Sequence, residues 1–263
     1  MEQPAVSPVR RGGLGIRRLA RIAGTVSMAA GALALAWAIV VWRWQDPITA
    51  LYTTWQQHLL ASRLEREQSW FSGAPPARKD ATGAVREVAA AAARFRRLVR
   101  VGDPIGRIVV PRLGLDMVVV DGTDDSSLRK GPGRDVRTFM PGQDRLVYIA
   151  GHRTTYLAPF AHIDAIRPGD PIRLKMPYGT FLYRAVRHVI VPADDLAVLR
   201  SPRHELLALQ ACHPRFFATD RYIVYARLIS VRARGGRLVP AAALAADQPS
   251  RGAARRRSRA RKP

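Results

Sequence analysis

Cysteine is almost missing from this chain: Cys212 is the single thiol in 263 residues. No disulfide can form within the chain, so it is not a disulfide-stapled module. Acidic residues are also scarce, 20 Asp and Glu against 43 Lys and Arg, and the formal net charge is +23. That excess points first to a polyanion, but its placement argues otherwise. Seven basic residues and no acid occupy 251–263, and residues 1–21 hold Arg10, Arg11, Arg17, Arg18 and Arg21 against Glu2. Terminal runs of this kind are solvated tails or contacts to anionic surfaces. The chain has no zinc-finger spacing, no basic-zipper heptads and no aromatic ribonucleoprotein motif, so nucleic-acid binding is not expected. Internal repeats are absent as well.

Charge is absent altogether from Ile22 to Trp42, IAGTVSMAAGALALAWAIVVW. A bilayer core is crossed by about 20 apolar residues in helical form. The run exceeds a signal-peptide core, and no convincing small-residue cleavage site follows it. An uncleaved single-pass anchor is therefore expected. The basic cluster before it places the N-terminus (1–21) in the cytoplasm and everything after Arg43 outside.

Two helical stretches follow within 43–101. Leu51, Tyr52, Trp55, Leu59, Leu60 and Leu64 recur at spacings of three and four, predicting a helix over 48–70. A Gly/Pro linker at 72–83 precedes a second Ala- and Arg-rich helix at 84–101. Together they read as a helical stalk of modest order. From Gly102 the grammar changes to short β-branched runs closed by Pro, Gly and Asp: seven or eight strands by Ala233, with one short helix over 158–166. Many short strands at this spacing imply a mainly β domain, a sandwich or closed barrel, over 102–233. Residues 234–263 are rich in Ala, Pro, Arg and Gly and read as a disordered basic tail.

Cys212 ends the strand LLALQAC and is followed at once by His213 and Pro214. One reading is a buried core thiol. The other is a nucleophile: an unpaired thiol outside the cytoplasm invites oxidation unless it serves a purpose. A nucleophile needs a base or a cation close by. His58 lies in the first stalk helix, His188 in mid-strand, His162 in the expected short helix and His204 in polar surroundings. His213 is the neighbour of Cys212, so it points to the opposite face of the strand. His152 ends the apolar strand LVYIAGH beside two small residues, Ala150 and Gly151, which leave space for a partner. A cation that steadies an oxyanion could be Arg215, in the turn, or Arg221, which opens the next strand. Asp121, Asp124, Asp125 and Asp164 lack calcium-ligand spacing and read as turn residues, so no metal or cofactor is expected.

The strand ending in AGHRTTY, the later strand running into Cys-His-Pro, and an arginine nine positions beyond the cysteine resemble the sortases. These are cysteine transpeptidases of Gram-positive surfaces, and the segments GDPIGRIVVPRLG and MPYGTFLYRA look most like class E of the actinobacteria. The resemblance covers about 102–231. It implies an eight-stranded β-barrel behind the transmembrane helix and stalk, with Cys212 as nucleophile, His152 as general acid/base and Arg221 as the oxyanion-orienting cation. The implied reaction opens the Thr–Gly bond of an LPxTG- or LAxTG-like sorting signal through an acyl-thioester on Cys212. An amine of a peptidoglycan precursor or a pilin lysine then resolves the thioester. Partners would thus be sorting-signal-bearing surface proteins, the amine acceptor and the membrane. Two positions depart from the family pattern. Ala208 and Ala211 stand where the family carries threonines before the nucleophile, and Asp135 stands where class E carries the tyrosine linked to alanine preference. A second reading follows from these departures: a catalytically weakened, wall-associated scaffold built on the same barrel.

Overall fold

The computed structural model describes residues 13–44, 47–70, 81–236 and 238–241. Of the linker expected at 72–83, residues 72–80 lie outside the described residues and 81–83 are helical; residues 1–12 of the expected basic N-terminus and the tail beyond 241 also lie outside them. Contacts divide the chain into two units, 1–47 and 48–263. The first contains helix α1 (Gly13–Trp44), within which Arg17–Val40 is long and apolar enough to cross a membrane.

The second unit is a closed barrel carrying two helices. Its strands are β1 (Pro104–Val110), β2 (Leu115–Asp121), β3 (Gly133–Arg134), β4 (Leu146–Ala150), β5 (Pro171–Met176), β6 (Gly179–Pro192), β7 (Leu206–His213), β8 (Asp220–Ala233) and β9 (Leu238–Pro240). Hydrogen bonding runs β6-β5-β1-β2-β3-β4-β7-β8, and a further β6–β8 pairing closes this ring of eight, as expected from the sequence. Closure depends on the length of β6. Its first half pairs with β5 while its full length pairs with β8, and register shifts at Leu182/Tyr183 and Ala185/Arg187 let it bend between them. The short β3 joins in parallel to β2, with Gly133 so close that a Cβ there would lie 2.0 Å from the carbonyl oxygen of Gly122. β9 adds outside the ring on β8, pairing with Ser230–Arg232, so ordered chain continues past the 234 boundary expected for the tail.

Strand alternation divides the barrel wall into two faces. Inward residues such as Ile108, Val119, Ile149, Phe181, Leu209 and Val224 form one apolar core. A smaller cluster lies on the outer face of the same strands: Leu146, Tyr148, Ala208, Ile223 and Tyr225, covered by Val189, Val191, Val198 and Leu199 from the β6–β7 segment. Glu205, at the start of β7, is buried. Its carboxylate accepts from the Tyr183 hydroxyl and from the backbone N–H groups of Gly142 and Asp144, at 2.5, 2.8 and 3.2 Å.

The two helices expected before the barrel are α2 (Pro47–Trp70) and α3 (Ala81–Leu98). Both pack against the barrel instead of standing free. α3 buries the stripe Ala84, Val88, Ala92 and Phe95, of which Val88, Ala92 and Phe95 join the main core. α2 lays Leu60 and Leu64 on the outward Val118 and Val120 of β2. The Gln57 side chain acts as an extra strand residue beside β2. Its Nε2 donates to the carbonyls of Val118 (3.0 Å) and Lys130 (2.7 Å), and its Oε1 accepts from Val118 N–H (2.7 Å).

The short helix expected at 158–166 shrinks to one 3-10 turn, Ile163–Ala165. Tyr156, Leu157 and Ala158 all have positive φ (53°, 60° and 37°), and Pro159 follows. A right-handed helix cannot start through such a run.

Candidate active site

The β7–β8 ladder places Cys212 directly opposite Arg221. On the other side of β7, parallel β4 pairs Ala150 with Gln210, and Gly151 N–H continues the ladder to the Gln210 carbonyl (3.0 Å). Two residues beyond Ala150, His152 therefore emerges level with Cys212. Alternation along the three strands sends Cys212, His152 and Arg221 to the face that carries Tyr148, Ala208 and Tyr225, which is the outside of the barrel. All three line one cleft of about 250 Å³. Its walls include Leu196, Val198 and Leu199 from the β6–β7 segment, Leu128, and the pair Asp135 and Arg137.

Each group is held differently. Cys212 is a half-buried free thiol. Arg221 donates through Nη1 to the carbonyls of Ala218 (2.8 Å) and Asp220 (2.9 Å), which fixes the guanidinium at the mouth of the β7–β8 turn. His152 is half-buried, and its Nε2 is fully enclosed without a hydrogen-bond partner. Burial is the main cause that pushes its pKa below the ordinary histidine value; Arg129 adds to this and Asp125 opposes it. The imidazole is therefore neutral near pH 7, the form able to accept a proton. The small residues before it, Ala150 and Gly151, line the cleft beside it, as expected. A Cβ on Gly151 would lie 2.7 Å from the Phe160 ring, so glycine is needed for that ring to pack under the loop.

The remaining candidates fall elsewhere. His58, His162 and His188 are exposed, and His204 is outside the cleft lining. His213 turns away from Cys212 and contacts Arg153. Arg215 stacks over Phe216 and does not line the cleft. The four aspartates do not converge. Asp124 caps the short helix α4 (Asp125–Leu128), Asp125 pairs with Arg129, and Asp164 pairs with Arg153. Asp121 is not a turn residue: it is buried on β2, bonded to Arg134 Nε at 2.7 Å. Among the described residues no group of three or more His, Cys, Asp or Glu could hold a metal ion.

The departures noted in the sequence acquire positions. Ala211 points into the barrel core and Ala208 lies under the outer apolar cluster, and neither lines the cleft. A threonine at 211 would carry its hydroxyl into the barrel interior and away from the cleft. Asp135 does line it. Burial alone would raise the Asp135 pKa, but Arg137 outweighs this through its backbone N–H (2.9 Å), Nε (3.0 Å) and Nη2 (2.6 Å), holding the carboxylate below its usual range.

Arg153 was not among the candidates, although it sits beside His152. It is buried, and its Nη1 donates to the Cys212 carbonyl (3.3 Å) and meets His213 Nδ1 (2.9 Å), while Nη2 pairs with Asp164 (3.0 Å). It thus ties the end of β7 to the loop after β4. The only sequence cue was its place directly after the histidine, on the opposite side of the chain.

Comparison with known proteins agrees with this architecture. Residues 108–229 match the family model of the sortase domain. The chain is 31% identical to sortase D of Bacillus subtilis over 134 residues, 49% of this chain and 66% of that protein. It is 28% identical to sortase SrtE1 of Streptomyces coelicolor over 95 residues, 33% of this chain and 27% of that one. Among solved structures, sortase C from Clostridium perfringens SM101 superposes with a TM-score of 0.50 at 18% identity, covering 64% of this chain and 98% of that one, a likeness of fold. The chain carries a sortase domain and belongs to the sortase family.

Proposed function

We propose that this protein is a membrane-anchored cysteine transpeptidase in which Cys212, His152 and Arg221 act together on a C-terminal sorting signal. One observation carries the reading: three residues from three adjacent strand ends meet in one cleft on the outer wall of the barrel. His152, neutral at the outset, takes the proton of the Cys212 thiol, and the resulting thiolate attacks the threonine carbonyl of a Thr–Gly bond. Arg221, its guanidinium already oriented by two backbone carbonyls, steadies the oxyanion. His152 delivers the proton to the departing glycine amine, leaving an acyl-thioester on Cys212. It then takes a proton from the incoming amine as that amine displaces the thiolate. The enclosed, water-poor setting of the imidazole favours aminolysis over hydrolysis.

The apolar wall of Leu128, Leu196, Val198 and Leu199 suits the leucine that opens an LPxTG- or LAxTG-like signal. The more extensive similarity is to sortase D, so no signal preference is tied to class E alone. The Asp135–Arg137 pair stands in its place as the local determinant of selectivity. The apolar helix α1 serves as a single-pass anchor with the barrel outside the cell, where surface proteins and a peptidoglycan or pilin amine are found.

The decisive experiment is mass spectrometry of Cys212 after incubation with a library of sorting peptides. An acyl adduct on Cys212, absent from Cys212→Ala, supports the transpeptidase. Absence of any adduct and any cleavage across the library overturns it in favour of a binding scaffold.

A further inference from the structure

We infer that Tyr156, clamped from outside its own loop by helix α2, is a positioning residue for the His152 imidazole. This rests on His152 serving as the acid/base of the proposed reaction. With Nε2 of His152 enclosed and unpartnered, no hydrogen bond at that nitrogen sets the ring. What lies against it is the Tyr156 ring, centroid to centroid 5.1 Å with 37° between planes. An aromatic side chain four residues further along the same loop thus forms part of the wall around the imidazole.

That loop has bonds of its own, Phe160 N–H to the His152 carbonyl (3.1 Å) and Ala158 N–H to the Thr155 carbonyl (2.8 Å), and it is held from outside as well. Tyr156, Leu157 and Ala158 all occupy the left-handed region, an unfavourable choice for residues with a Cβ that persists only where surrounding structure imposes it. Beside the bonds within the loop, further contacts come from far away in sequence. The Tyr156 N–H donates to Thr49 Oγ1 at 3.0 Å, and the Tyr52 ring meets the Tyr156 ring edge-on at 6.4 Å. From the other element, the Arg129 guanidinium lies 5.7 Å from the Tyr156 ring centre. Arg129 is itself tied to α2, because its carbonyl accepts from Thr53 Oγ1 at 2.9 Å. With Gln57 bound to Val118 and Lys130, α2, the end of α4 and the histidine loop form one connected unit. The helix between the apolar segment and the barrel is thereby part of the catalytic apparatus.

The charged groups that act on His152 in this arrangement are Asp125 and Arg129, which also pair with each other. Loss of the Tyr156 wall would admit water to the ring and leave these charges in place.

The test uses the full chain and two readouts that need no substrate. The first is the titration of His152 followed by NMR in a Cys212→Ala background. The second, with Cys212 intact, is the pH dependence of Cys212 alkylation by iodoacetamide. Tyr156→Ala and Thr49→Val are expected to raise the His152 pKa toward its ordinary value and to shift the alkylation profile. Both should also lower kcat for sorting-peptide cleavage about tenfold with little change in KM, while Tyr156→Phe, which keeps the ring, restores them toward wild type. Tyr52→Ala, at a 41% exposed position, and Thr49→Val decide the matter if Tyr156→Ala does not fold. An unmoved His152 titration in folded variants overturns the positioning role. A wild type that forms no thioester overturns the transpeptidase reading instead, and the titration still answers separately.

Discussion

Cys212 and Arg221 are cross-strand partners on adjacent antiparallel strands, so thiol and guanidinium reach the same level of the barrel wall through backbone pairing alone. No loop has to fold correctly to bring them together. His152 depends on one more step, the continuation of the parallel β4–β7 ladder through Gly151.

Arg221→Lys is accordingly expected to lower kcat for peptide cleavage by about 10²-fold, because an ammonium cannot reproduce the forked geometry held by Ala218 and Asp220. The melting temperature should stay near that of wild type. Single-turnover kinetics of thioester formation would measure the loss, and a variant as fast as wild type would remove Arg221 from the mechanism.

Arg153→Met should act differently. It leaves the Cys212 carbonyl and His213 without their common partner, and the partly exposed Asp164 without its ion pair. A stability loss of about 2 kcal/mol is expected in urea unfolding, together with slower acylation. The Asp164 ion pair contributes little to that loss, because Asp164 is solvated on one side.

Ala211→Thr puts a hydroxyl into the apolar interior of the barrel. It should cost about 1–3 kcal/mol of stability unless a partner is found, and leave the activity of the folded fraction unchanged. Higher activity per folded molecule would mean that this position communicates with the cleft after all.

Glu205 predicts a pH dependence of stability. Burial is the leading cause that raises its pKa from 4.5 to about 7, against the hydrogen bonds from Tyr183, Gly142 and Asp144. The native protein thus holds a proton that the unfolded chain releases. This contribution is complete below about pH 4.5 and is lost as pH rises through 7. The shift corresponds to about 3 kcal/mol. Urea unfolding at pH 5 and pH 8 should show the difference, and Glu205→Gln should flatten it.

The strands were legible in the sequence because β-branched runs closed by Pro and Gly report their own boundaries, whereas their closure into a ring and not a sandwich was implied only by the sortase resemblance. The three groups that share the cleft were singled out in different ways: Cys212 as the single thiol, His152 as the histidine at a strand end beside two small residues, and Arg221 over Arg215 only through the sortase resemblance. The remainder depends on contacts that no local pattern encodes. Tyr156, Leu157 and Ala158 take left-handed backbone conformations that their residue types do not announce, so the stretch that follows read as helical. Arg153 looked like an ordinary loop charge because its partners lie about 60 residues away. The stalk helices read as loosely ordered because their short buried stripes acquire meaning only once the outer side of β2 and the end of the barrel are in place.

The location of the cleft on the outer wall has a consequence for how this molecule can vary. Interior side chains such as Leu207, Leu209 and Ala211 alternate with the cleft-facing Gln210 and Cys212, so the set that fills the barrel and the set that meets a peptide do not overlap. If the cleft binds a sorting peptide as proposed, substitutions confined to Leu128, Arg137 and Leu196 would change which peptide is accepted without disturbing the packing of the barrel interior. Selectivity and robustness are separately adjustable properties of this chain, with the two sides of each strand as their dividing line.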